Sequence, residues 1–200
     1  MQRREVIRLL LGTAAIPLLP RDVLGLLSEV HDQLPAAPSL KTLTPHQDAV
    51  VSSIAEWIIP QTDTPGAKAA RVNEFIDLIL TEWYDPDDRS RFVAGLDDVD
   101  RQTRNLYGKD FLDCSSLQQE QLLTMFDEQL IQRRQGEVHG ARRRGQKYAP
   151  ADQSFFYAMK QLTLVGYFTS EEGAKQALHY QVIPSRHEAC APLEEEEAAK

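Results

Sequence analysis

The residues that could do chemistry are few, and their spacing argues against most reactions. His179, His187 and Cys190 bring ligand-type side chains nearest to one another, with seven residues between the first pair and two between the second. That is not a zinc spacing, and no second cysteine stands close by. The chain has only two cysteines, Cys114 and Cys190, which excludes a CxxCH haem site, a four-cysteine iron–sulfur set and a zinc ribbon. Its ten glycines never fall as GxGxxG or GxxxxGK, so no dinucleotide or phosphate cradle is written here. Gly136 and Gly140 bracket Val138 rather than a serine, so a nucleophile elbow is missing too. Asp63 has no histidine or second carboxylate near it in sequence. Asp77, Glu82 and Asp85 could be drawn together by a fold into a carboxylate site, although they read better as solvent faces and a helix cap. No catalytic residue, metal or cofactor is therefore assigned to this chain.

Composition narrows the partners. The 200 residues are 42% hydrophobic and 26% charged, which are globular values. Thirty acidic against 22 basic residues give a net charge of −8, so binding to a nucleic-acid backbone is not expected. Arg133, Arg134, Arg142, Arg143, Arg144 and Lys147, set against Glu137, read as a solvated glycine- and arginine-rich loop from 132 to 150. The next reading of that run is a contact with an acidic partner or with lipid headgroups.

The N-terminus combines Arg3-Arg4, then Val6-Ile7, with an apolar stretch broken by Arg8, Gly12 and Pro17. It is too short and interrupted to span a bilayer of ~30 Å. The layout is that of an export signal of the twin-arginine type, whose cargo crosses the membrane already folded. The nearest small-residue cleavage site, Ala36-Ala37, precedes Pro38, which is compatible with a retained segment. The expected organisation is a signal segment over 1–33, a linker over 34–43, a helical domain over 44–193 and an acidic tail over 194–200.

Within the body, the pattern is helical throughout. Thr44, Pro45 and Gln47 spell a capping box with proline at the first helical position. Val50, Val51, Ile54, Trp57 and Ile58 follow at three- and four-residue steps, and Pro60 stops the run. A second helix carries Phe75, Ile76, Ile79 and Leu80. A third is expected to be capped by Asp85, to bury Phe92, Leu96, Val99, Thr103 and Leu106, and to end at Gly108. Ser115 or Ser116 opens a fourth, with Leu122, Leu123, Phe126 and Leu130. A fifth runs through Phe156, Met159 and Leu162, and a short one follows Thr169-Ser170. Tyr180 to Ile183 is the best strand candidate and is four residues long. The expected fold is all-α, a single compact domain of five to six helices.

Two stretches exceed generic helix grammar. One is Ile58-Ile59-Pro60-Gln61-Thr62-Asp63-Thr64-Pro65-Gly66-Ala67 followed by Val72, Phe75, Ile76 and Asp77. The other is Phe155-Phe156 through Leu162-Thr163-Leu164, Gly166-Tyr167-Phe168-Thr169-Ser170-Glu171 and Gly173, then Tyr180, Pro184 and Cys190. With the twin-arginine start and Leu43-Thr44-Pro45, this order resembles the gluconate 2-dehydrogenase subunit 3 family over residues 40 to 193. The resemblance implies an accessory subunit in a periplasmic complex. Its large partner would be an FAD-dependent dehydrogenase of the glucose–methanol–choline type, often beside a multihaem cytochrome c. FAD and haem c would belong to those partners, and membrane association would come only through the complex or an uncleaved signal.

Candidate interface residues are Pro60, Thr62, Asp63, Thr64, Pro65 and Gly66 on a polar loop, the aromatic pair Tyr167-Phe168, and Cys190 as a thiol for an intersubunit disulfide. The competing readings are a stand-alone cytosolic helical interaction protein and a carboxylate-based enzyme.

Overall fold

A computed structural model of the chain describes residues 40–145 and 154–180. Within them lie five α-helices: α1 (Pro45–Ile58), α2 (Val72–Glu82), α3 (Pro86–Tyr107), α4 (Ser116–Arg143) and α5 (Phe155–Thr169). A 3₁₀ turn (Phe111–Asp113) links α3 to α4, and a π-helical turn (Gly173–Ala177) follows α5. No strand occurs among the described residues, so the domain is all-α. None of these helices is long and apolar enough to cross a membrane.

The helices start where the local chemistry dictates. The Thr44 hydroxyl accepts from the Gln47 amide at 3.3 Å while the Gln47 side chain accepts from the Thr44 amide at 3.1 Å, a complete capping box. Ser115 and Gln118 make the same exchange ahead of α4, at 3.4 and 3.0 Å. Gly108 closes α3 in the left-handed conformation.

Helix α5 forms the centre. Its sequence is apolar nearly all round, and it packs against each of the other four helices. Phe75, Ile76, Ile79 and Leu80 of α2, Phe92, Leu96 and Val99 of α3, and Met159, Leu162 and Tyr167 of α5 share one buried cluster. Gly166 lets α2 approach, since a Cβ there would lie 2.8 Å from the Phe75 ring.

Three expectations change. The stretch after Gln132 is not a loop up to Pro150, because α4 continues to Arg143. Gly136 and Gly140 sit inside that helix among residues that favour it, and the turn comes at Gly145, where φ is +68°. Asp85 occupies the N-cap of α3 in extended backbone but makes no side-chain cap bond. Leu106, expected inside, is 56% exposed at the last turn of α3. The signal segment, most of the linker, the tail, Lys147, Ile183, Pro184, His187 and Cys190 lie outside the described residues.

Candidate functional site

The loop between α1 and α2 is braced from within and from behind. The Glu56 carboxylate accepts the amide of Gln61 at 2.8 Å and that of Lys68 at 2.9 Å, bridging the two ends of the loop. Gly66 is buried against that carboxylate, and a Cβ would fall 2.4 Å from Glu56 Oε1. The Thr62 amide donates to the Thr64 carbonyl at 3.0 Å, which closes the exposed tip. From behind, the Tyr167 hydroxyl donates to the Pro65 carbonyl at 2.7 Å across a separation of 102 residues. The two motif stretches picked out in the sequence are thus joined by this hydrogen bond as well as by the close approach of Gly166 to the Phe75 ring.

This geometry sorts the candidate interface residues. Pro60, Thr62 and Asp63 are exposed, Thr64 and Pro65 are half-buried, and Gly66 is buried. Tyr167 is not a surface anchor: it is 2% exposed, and its ring packs edge-on against Phe168 at 5.2 Å. Phe168 itself is partly buried against the core. Tyr167 therefore supports the loop from inside, while Phe168 stays half-buried beside it. Sequence reasoning missed Glu56, whose signal was only a carboxylate one turn ahead of a turn-rich loop.

Both buried carboxylates among the described residues hold backbone. Asp77 accepts the amides of Lys41, Thr42 and Leu43 at 2.8, 3.0 and 2.7 Å, which pins the segment ahead of α1 onto α2. Lys41 adds an ion pair to Glu82 at 2.9 Å, with both side chains about half exposed. Asp100 takes the Phe111 amide at 3.0 Å on one oxygen and His46 Nε2 at 2.6 Å on the other. It ties the start of α1 and the 3₁₀ turn to α3. Asp77 and Glu82 therefore serve as structural acceptors, the first for backbone amides and the second for Lys41.

Beside the loop, Asp48 and Asn73 face each other, with the Asn73 amide donating at 2.8 Å. Burial raises the Asp48 pKa, the Asn73 bond opposes the rise, and the charges of Asp77 and Glu74 add to it. Arg71 stands in the left-handed region at φ +53°, an uncommon conformation for a side-chain-bearing residue, and its guanidinium grips Glu74. Cys114 is a buried free thiol whose pKa is raised, chiefly by that burial. Among the described residues, no cluster of three or more His, Cys, Asp or Glu side chains could hold a metal.

These features define an all-helical scaffold whose buried carboxylates are spent on tying segments together and whose surface loop is held rigid. The chain belongs to the gluconate 2-dehydrogenase subunit 3 family, whose family model matches residues 45–184. Neither a curated protein nor a solved structure matches it. By its family the chain is an accessory subunit of an oxidoreductase complex.

Proposed function

We propose that this chain is the small, non-catalytic subunit of an exported dehydrogenase complex. The large partner carries FAD and is of the glucose–methanol–choline type, and the N-terminal segment here supplies the export address for both. The family match over residues 45–184 carries this reading, and the Arg3-Arg4-x-Val6-Ile7 order supports the export half of it. The engagement of Asp77 and Asp100 with backbone amides favours a binding role over a carboxylate enzyme. Oxidation of the sugar or alcohol takes place in the partner, which sets the substrate, and electrons pass on to a multihaem cytochrome c where one is present. The assembled complex works in the periplasm and touches the membrane only through its other subunits or a retained signal.

Twin-arginine recognition reads the guanidinium pair, not charge alone, so substituting both arginines by lysine isolates it. In the Arg3→Lys, Arg4→Lys double variant, both subunits are expected in the cytoplasmic fraction, with periplasmic dehydrogenase activity lost. Unchanged periplasmic activity would overturn the export role.

A further inference from the structure

Helix α4 is 28 residues long, and α5, against which it packs, is 15. The excess length leaves the second half of α4 clear of the core. Its buried core positions run from Leu122 to Leu130, and none of residues 131–140 is buried. The next buried residue, Ala141, does not belong to the core cluster.

The charge of this stretch is opposite to that of the chain. Residues 132–145 hold Arg133, Arg134, Arg142, Arg143 and Arg144 against Glu137 alone. With His139 neutral that is a net +4 in a chain of −8, so all the other residues together carry −12. On α3, exposed arginines stand beside acids of their own: Arg91 with Asp88, Arg101 with Asp98, Arg104 with Asp110. Asp98 also lines a small cavity with Arg133, but its ion pair is to Arg101. Arg134 lies over the Tyr157 ring at 5.5 Å, a contact that leaves its charge in place. The helix dipole favours cations in the last turn, which accounts for Arg142 and Arg143 but not for Arg133 and Arg134, nearly three turns earlier.

We propose that the second half of α4 is a docking arm for an acidic surface of the flavoprotein subunit. The inference rests on the proposed function and adds the surface and the chemistry of the contact. An acidic partner is repelled by the rest of this chain and attracted only here, so the arm sets the orientation of approach as well as its rate. A protein surface fits better than a lipid one. At about 100° per residue, Arg133, Arg134, Arg142 and Arg143 fall roughly a quarter-turn apart around the axis, and a flat bilayer meets only one side of a helix. An interfacial helix also needs an apolar face to bury, and Ile131 is the one exposed large apolar residue in this half of α4.

The test is the association rate of the full-length chain with its flavoprotein subunit at low and high salt. The double variant Arg143→Gln, Arg144→Gln should associate about fivefold more slowly at low salt, with little change in dissociation, and the difference should vanish at high salt. Arg143→Lys with Arg144→Lys should keep the wild-type rate, since charge and not guanidinium geometry is read. Arg91→Gln with Arg101→Gln removes as much charge from α3 and should slow association about twofold at most. Tight wild-type binding that the Arg143, Arg144 glutamine pair leaves unchanged at low salt would overturn the arm and spare the proposed function. Equal slowing at low and high salt would make the loss structural and also overturn it. Binding of the wild-type chain, but not of the glutamine pair, to phosphatidylglycerol vesicles, with flavoprotein association unaltered, would assign the arm to the membrane and overturn the inference. Failure of the wild-type chain to bind any flavoprotein subunit would overturn both this inference and the proposed function.

Discussion

Replacing Asp77 by alanine removes one side chain and strands three backbone amides. The carboxylate of Asp77 is 3% exposed and accepts from Lys41, Thr42 and Leu43. A net hydrogen bond contributes roughly 1 kcal/mol, and one to a charged group about 1.5–3 kcal/mol. The Lys41 and Thr42 amides are only partly buried and recover some hydration, which places the loss at about 3–5 kcal/mol. A domain of this size is stable by only about 5–15 kcal/mol, so the melting temperature should fall by about 10 °C. Thermal and urea denaturation of Asp77→Ala beside Glu82→Gln would measure it. The second variant breaks only the exposed Lys41 pair and should cost under about 1 kcal/mol. Asp77→Asn keeps one carbonyl acceptor and should fall between. A loss below about 1 kcal/mol in Asp77→Ala would refute the latch.

Gly136→Ala and Gly166→Ala should act differently. Each gains about 1 kcal/mol of helix propensity, but Gly136 faces open space while Gly166 meets the Phe75 ring, where overpacking costs about 1–3 kcal/mol. Denaturation midpoints should rise for Gly136→Ala and fall or stay level for Gly166→Ala, and equal rises would contradict the packing. For Asp48, the folded pKa is raised by burial, so its ionised form costs stability above that pKa, and the cost fades as pH falls through it. Asp48→Asn should therefore raise the melting temperature at pH 7, with the gain shrinking as the pH falls through the Asp48 pKa. A gain that grows on acidification would reverse the assignment.

The local grammar of the chain was legible because its causes lie within one or two turns. The Thr44 capping box, a serine cap ahead of α4 and the stop at Gly108 each need only residues three or four apart. The second half of α4 was hidden because Gly136 and Gly140 look like breakers. The adjacent glutamines and arginines carry the helix through them, and a left-handed turn waits until Gly145. Asp77 and Tyr167 were misread for a different reason. Their partners are the backbone amides of residues 41–43 and the Pro65 carbonyl, 34–36 and 102 positions away, and no side-chain pattern announces a backbone partner. Trp57 was expected on the apolar face of α1 and instead lines its exposed side, because the Gln119 amide holds the indole there.

The central claim is that the chemistry belongs to the partner. Purifying the assembled complex, separating the subunits gently and following flavin and haem absorbance with dehydrogenase turnover would test it most directly. Flavin and turnover should stay with the large subunit, and this chain alone should show no bound cofactor and no activity. Stoichiometric flavin or haem on the isolated chain, or substrate oxidation by it, would contradict the account.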